Sequence, residues 1–136
     1  MTHDIRFQKI HHEEIPFHLI EQVKPRTWSV ERYQDFLTLL DGSPLVIIFG
    51  IFKREELIGF TFLDINLLEQ LLYVSTLSIE KTYKNDGSTL KAIMILFKKF
   101  LNECKLKKIQ FSTNRPTLFL KLGLKKSKEI LMELEV

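Results

Sequence analysis

Three β-type runs follow one another between residues 44 and 79 with almost nothing between them. PLVIIFGIF is joined to LIGFTFLDIN by the charged turn KREE, and LLEQ separates that run from LLYVSTLSI. Branched and aromatic residues dominate all three, the composition of strands that fit a pleated, half-buried surface. Links this short suit antiparallel neighbours, so the sequence predicts a meander over residues 44 to 52, 57 to 66 and 71 to 79. Strands this apolar need cover on one or both faces, and the rest of the chain must supply it.

Helix-period segments flank the meander. HHEEIPFHLIEQVK puts Phe17, Ile20 and Val23 on one face, with Pro16 in the first turn, where its missing N–H has no intrahelical partner. Ser29 is placed to cap the next helix, Trp28 to pack on Tyr33 as a hydrophobic staple, and Phe36, Leu37 and Leu40 to continue the buried stripe. Asp41 and Gly42 end it, the glycine taking the left-handed position. Downstream, STLKAIMILFKKFLNECK sets Leu90, Ile93, Met94, Phe97, Phe100 and Leu101 at spacings of three and four, the mark of a long amphipathic helix.

Ile5 and Phe7 open a short first strand, KKIQFS reads as a fifth, RPTLFLKLG as a short helix ended by Gly123, and KEILMELEV as a final strand. A right-handed crossover through the long helix sets the fifth strand parallel to the third meander strand. The expected class is α/β (α+β), with a mixed, mostly antiparallel central sheet and helices on both faces. No repeat, low-complexity tract or linker divides the chain, so residues 1 to 136 are expected to form one domain.

Charge and cysteine content bound the function classes. Cys104 is the only cysteine, which excludes an intramolecular disulfide framework, and no apolar run approaches the ~20 residues of a membrane span. The charged start MTHDIRFQKIHHEE does not read as a signal peptide, and a cytoplasmic protein is expected. Residues 1 to 68 carry 7 basic and 10 acidic side chains, and residues 69 to 136 carry 13 and 7, so an anion would dock on the second half. KKF, KLKK and KKSK there read as a solvated surface rather than a nucleic-acid face, because Phe100 and Phe111 fit the core period better than a stacking role.

The strongest candidate site follows from the order of elements. A strand that runs through a polar, glycine-containing loop into a long helix aims the helix's first unpaired N–H groups at the end of the sheet, an arrangement suited to an anion. The loop spans Glu80 to Gly87, the free amides are those of Gly87, Ser88, Thr89 and Leu90, and Lys84 adds a cation. The plainer reading is an ordinary turn in which Gly87 takes a positive φ and Ser88 caps the helix.

This succession of elements, over essentially the whole chain, resembles the GNAT superfamily of acyl-CoA-dependent N-acyltransferases. TYKNDGSTL is similar to that family's pyrophosphate loop, [QR]-x-x-G-x-[GA], with Lys84 at the Gln/Arg place, Gly87 at the first Gly and Thr89 at the second. LFLKLGLKK is similar to its later Y-x-K-x-G-F segment, with Phe119 at the Tyr place, Lys121 and Gly123 matching, and Leu124 in place of Phe.

The resemblance implies a V-shaped opening between the third meander strand and the fifth strand, with acetyl-CoA or another acyl-CoA as cosubstrate. Leu77 and Ile79 would offer backbone to the pantetheine, and the loop of Lys84, Asn85, Asp86, Gly87, Ser88 and Thr89 would hold the pyrophosphate. Asn114 would contact the pantetheine arm, and Phe119 would stand beside the thioester.

Three departures bear on activity. Thr89 brings a branched side chain where the family has Gly or Ala. Asp86 places a carboxylate beside the anion, at a cost of about 4 kcal/mol for an unscreened pair 4 Å apart at an effective dielectric of ~20, so it is expected to point into water. Phe119 removes the phenol that in relatives protonates the departing thiolate; such help is worth ~10² to 10⁴ in rate. Proximity of amine and thioester still drives transfer without it.

Asp64, Glu69 and Glu80 are the carboxylates available as a base, and Glu80 is the favoured candidate because it follows the third meander strand at the proposed mouth. Tyr73, alternating with Ser75 and Leu77, is an alternative acid or an ordinary cross-strand aromatic. His11, His12, Glu13, Glu14 and His18 do not fit H-E-x-x-H and read as solvated, so no metal is expected. Cys104 shows no neighbouring base and reads as a packing residue.

The sequence thus points to N-acyl transfer to a primary amine on a small molecule or a protein, its identity unreadable. The alternative is a catalytically impaired GNAT-like domain that binds or regulates a protein partner. Oligomeric state carries no signature, and a homodimer is left open.

Overall fold

A computed structural model describes residues 4–44, 46–113 and 115–135. Its frame is a five-stranded sheet whose spatial order follows the chain: β1 (Ile5–Lys9), β2 (Val46–Lys53), β3 (Glu56–Asn66), β4 (Leu71–Ile79) and β5 (Lys108–Gln110). The first three pairings are antiparallel and β4 pairs β5 in parallel. The meander therefore stands where the sequence puts it, and the fifth strand runs parallel to the third meander strand.

Helices cover both faces. On one lies α4 (Gly87–Glu103), whose Leu90, Ile93, Phe97 and Leu101 pack with Ile51, Leu63 and Leu72. On the other lie α1 (Phe17–Val23) and α2 (Val30–Asp41), whose Leu19, Ile20, Tyr33 and Leu37 pack with Ile48, Phe60 and Phe62. The central strand β3 is buried on both sides from Ile58 to Leu63, which is why it reads as a continuous apolar run rather than an alternation. Complete burial of a Phe or Leu side chain contributes ~1.5 to 3 kcal/mol, so the two faces together outweigh any local propensity in setting the sheet. Thr61, the polar residue in this run, satisfies its hydroxyl by donating to the Thr76 carbonyl at 2.7 Å.

Local signals in α2 hold. The Ser29 hydroxyl accepts from the Arg32 amide at 3.1 Å, and Trp28 meets Tyr33 edge-on with ring centroids 6.2 Å apart. Gly123 has φ +95°, its amide donates to the Leu120 carbonyl at 3.1 Å, and the Leu124 amide donates to the Phe119 carbonyl at 3.1 Å. That pair of bonds is a Schellman closure of α5 (Pro116–Lys121), and it explains the glycine.

Several expectations are corrected. Pro16 precedes α1 as its N-cap rather than lying in its first turn. Gly42 is right-handed at φ −80°, and α2 closes instead through its amide donating to the Thr38 carbonyl at 3.3 Å. The loop after β4 contains a short helix, α3 (Lys81–Lys84), and the fifth strand is paired over three residues only. The final strand expected over KEILMELEV is absent from its described part: residues 129–135 carry no regular structure, Ile130, Leu131, Met132 and Leu134 are 82% to 95% exposed, and Val136 lies outside the described residues. Alternation of apolar and acidic residues gives a segment the capacity to pair, but pairing needs a free edge within reach.

Candidate functional site

The β4–β5 ladder ends early. Leu71, Leu72 and Tyr73 pair with Lys108, Ile109 and Gln110, and beyond Tyr73 no strand lies on that side of β4 among the described residues. A bulge starts the divergence: Leu63 faces Val74 and Phe62 faces Thr76, which leaves Ser75 as the extra residue and bends β4. β4 nonetheless stays clasped to β3 up to the Gly59–Ile79 pair, where a side chain on Gly59 would put its Cβ 2.3 Å from the Ser78 carbonyl oxygen. Bulge and glycine together keep β4 on β3 while it leaves β5.

The result is a cleft of about 750 Å³. Val74, Leu77, Ile79 and Leu90 form one wall, and Phe111 and Phe119, edge to face with centroids 4.8 Å apart, form the other. Lys84 and Arg115 add two positive charges, Ser75, Ser112 and Thr113 add hydroxyls, and no carboxylate lines the cleft among the described residues. Arg115 also donates from its guanidinium to the Asn85 side-chain oxygen, which ties the loop before α4 to the start of α5.

At the head of α4 the cap differs from both sequence readings. Gly87 has no positive φ, and the N-cap is Asp86 rather than Ser88. The Asp86 carboxylate accepts from the Ser88 amide at 3.1 Å, the Ser88 hydroxyl at 2.9 Å and the Thr89 hydroxyl at 2.9 Å. Those side-chain hydrogen bonds, more than the backbone one, hold its carboxyl below the ordinary value. Asp86 therefore turns onto the helix instead of pointing into water, and Thr89 is buried with its hydroxyl committed to the cap.

Of the four amides expected to be free, that of Leu90 donates to the Asp86 carbonyl and that of Ser88 to the Asp86 side chain. Those of Gly87 and Thr89 remain. A Cβ on Gly87 would meet nothing within 4 Å, so neither packing nor backbone strain within the fold calls for glycine there.

The structure thus brings Leu77, Ile79, Lys84 and Phe119 together on the cleft wall, with Asn85, Asp86, Gly87, Ser88 and Thr89 in the adjoining loop and helix start. Asn114 lies outside the described residues. Glu80 sits at the β4–α3 junction, its amide donating to the Ile58 carbonyl at 2.7 Å, and it is not among the lining residues. Glu69 is exposed in the β3–β4 turn. Asp64 is the carboxylate joined to the cleft, accepting from the hydroxyl of the lining residue Ser75 at 2.5 Å. Tyr73 faces Asp64 in the register and is 37% exposed.

Arg115, Phe111 and the Asp64–Ser75 pair were missed by sequence reasoning. Arg115 had a signal, since a cation before a proline between a strand and a helix stands where the chain turns over the sheet end. The pair had none, because it exists only in the register set by the bulge.

Among the described residues no three His, Cys, Asp or Glu side chains are grouped to hold a metal ion. His12 and Asp41 instead form a hydrogen-bonded pair, Nδ1 to Oδ2 at 2.6 Å, between the first turns of the chain and the end of α2. No helix among the described residues is long and apolar enough to cross a membrane.

No family model and no curated protein matches the sequence. Solved structures do. AAC(6')-Iy, in complex with the bisubstrate analog CoA-S-monomethyl-acetylneamine, is 11% identical with a TM-score of 0.67, the match covering 97% of this chain and 98% of that one. An aminoglycoside acetyltransferase from an uncultured soil metagenomic sample is 10% identical with a TM-score of 0.67, covering 98% and 97%. An integron cassette protein from the mobile metagenome of V. cholerae is 11% identical with a TM-score of 0.71, covering 98% and 93%. At this identity the likeness is one of fold. Meander, crossover helix and parted fifth strand together give the chain the fold of the GNAT acetyltransferases.

Proposed function

We propose that the chain, acting as a single unit over residues 1 to 136, is an acyl-CoA-dependent N-acyltransferase that uses acetyl-CoA to acylate a primary amine. The observation that carries this reading is the cleft where β4 and β5 part, with apolar walls, two cations and no carboxylate among its described lining residues. That composition suits a long, partly apolar ligand with an anionic end. AAC(6')-Iy, whose fold the chain shares, was solved with a CoA bisubstrate analog, which supports a CoA thioester as the donor.

Roles follow from placement. Lys84 and Arg115 make charge-assisted bonds to phosphate oxygens, and the Gly87 and Thr89 amides add donors at the head of α4. The β4 backbone from Leu77 to Ile79, unpaired on its β5 side, bonds the amide-bearing arm of the cosubstrate and polarises the acyl carbonyl. Phe111 and Phe119 exclude water. The thioester supplies an acyl group activated for direct attack by the amine, so no covalent enzyme intermediate is required.

Asp64, acting through Ser75, is the base for the incoming ammonium, displacing Glu80 from that role. With Phe119 at the place of the family's phenol, no side-chain acid meets the leaving thiolate there; it departs as the CoA thiolate as the C–S bond breaks and takes its proton from water, and a slow turnover is expected.

Release of free thiol from acetyl-CoA, followed across a panel of polyamines, aminoglycosides and peptide N-termini, tests the reading. Amine-dependent release that Asp64→Asn reduces by about tenfold or more supports it. Binding of acetyl-CoA without release on any amine would assign the chain to the non-catalytic binding class instead.

A further inference from the structure

The cleft has two unlike ends. Lys84, which closes α3, and Arg115, which precedes α5, supply the cations of the open end. At the narrow end the β4–β5 ladder stops at the Tyr73–Gln110 pair, so the next residues out, Val74 and Phe111, flank the start of the parting, and both line it.

α5 joins the two ends. It begins beside Arg115 at Pro116, and one turn on its Phe119 meets the Phe111 ring edge to face, with centroids 4.8 Å apart and planes at 72°. The wall opposite Val74 and Leu77 is therefore aromatic where the strands separate.

This end has little room to give. Phe111 packs with Leu118 and Leu122 against the core cluster that holds Leu72, Val74 and Leu101, and Val74 itself is buried. The Ser75 hydroxyl is committed to Asp64 at 2.5 Å. Close-packed neighbours of this kind yield only by shifting strand or core, and overfilling them is destabilising.

Charge placement sets the direction of a thioester ligand. Its phosphates belong with Lys84 and Arg115, while Asp64, the base for the amine, reaches the cleft through Ser75 beside Val74. The acyl group is thus delivered toward the narrow end, against the two rings.

We infer, on the footing of the acyl-CoA reading above, that the Phe111–Phe119 pair is the size stop for the acyl group and that Phe119 is the residue that restricts the donor to acetyl. The Phe111 ring is backed by the core, and the Phe119 ring leans on it from a short helix, so the second is the one whose removal lengthens the subsite. An apolar pocket discriminates a single methylene by about 10- to 200-fold, which sets the scale of the restriction.

Calorimetric titration with CoA, acetyl-CoA, butyryl-CoA and hexanoyl-CoA, in the absence of any amine, tests this. Ratios taken within each protein remove any general change in affinity. Wild type is expected to bind acetyl-CoA at least about tenfold tighter than hexanoyl-CoA. Phe119→Ala should reverse that order. Should Phe119→Ala fail to fold, Phe119→Val carries the same test, admitting butyryl-CoA first.

Leu118→Ala, on the same helix but packed on the core rather than lining the cleft, should keep the wild-type ratio. Wild type that binds hexanoyl-CoA as tightly as acetyl-CoA, a Phe119 variant with the wild-type ratio, or a Leu118→Ala ratio shifted as far as that of Phe119→Ala overturns the inference while leaving the coenzyme site in place. Failure to bind CoA in any form overturns the acyl-CoA reading and the inference with it.

Discussion

The Thr89 hydroxyl donates to Oδ2 of Asp86 at 2.9 Å, which joins two departures from the family's pyrophosphate loop in one capping contact. Read separately in the sequence, a branched residue and a carboxylate both obstruct an anion. In the fold, Thr89 turns inward and anchors the carboxylate to the head of α4. To an anion at the head of α4, Asp86 would be an electrostatic rather than a steric obstacle, and it already occupies the Ser88 amide.

Asp86→Asn keeps an oxygen acceptor for the cap and removes the charge, so it should tighten binding of CoA several-fold and steepen the loss of affinity with salt. Asp86→Ala should lower Tm by removing the cap. Calorimetric titration of the Asn variant checks the first, and an affinity for CoA below that of wild type would contradict it.

Lys84→Ala and Arg115→Ala should each weaken CoA by about tenfold, the scale of one charge-assisted phosphate contact. Both side chains are exposed, so thermal unfolding should be unchanged and the effect confined to binding. Unchanged CoA affinity in both variants would detach the cations from the ligand.

Gly59→Ala should cost about 3 kcal/mol or more in urea unfolding, because the new Cβ lands 2.3 Å from the Ser78 carbonyl oxygen and backbone must move. Gly87→Ala, whose Cβ meets nothing within 4 Å, should leave stability nearly unchanged and weaken CoA instead. Equal stabilities for the two variants would refute the clasp assigned to Gly59.

Acid sensitivity should trace in part to Asp41. Its Oδ2 accepts from the His12 ring at 2.6 Å and from the His12 amide at 3.0 Å, and these bonds hold the carboxyl below its ordinary value. A group with a depressed folded pKa stabilises above its unfolded pKa of about 3.9, and loses that contribution as pH falls through the lower folded value. Urea midpoints from about pH 6 down to about pH 3 should therefore fall more steeply for wild type than for Asp41→Asn. Parallel profiles would exclude the pair.

The sequence was most informative where structure is set locally. The meander strands at 57 to 66 and 71 to 79 match Glu56–Asn66 and Leu71–Ile79 because apolar runs and short turns leave little choice of register partner. The long helix matches for the same reason, its stripe being self-evident over 17 residues.

Choices that depend on geometry were illegible. Asp86 and Ser88 are both good caps separated by a glycine, and only the direction of the chain out of α3 selects the first. The bulge at Ser75, which parts the strands and joins Asp64 to the cleft, leaves no mark in an otherwise regular strand sequence. Residues 129–135 announce a strand by alternation, yet what such a segment pairs with is decided by surfaces distant in the chain.

Calorimetry with acetyl-CoA and desulfo-CoA is the most direct measurement of whether the parted strands form a coenzyme site. One-to-one binding of both, abolished by Gly87→Asp with Tm unchanged, is the predicted result, since the new carboxylate would stand at the head of α4 in space that is otherwise open. An absence of heat at millimolar ligand, or an affinity indifferent to Gly87→Asp, would contradict it.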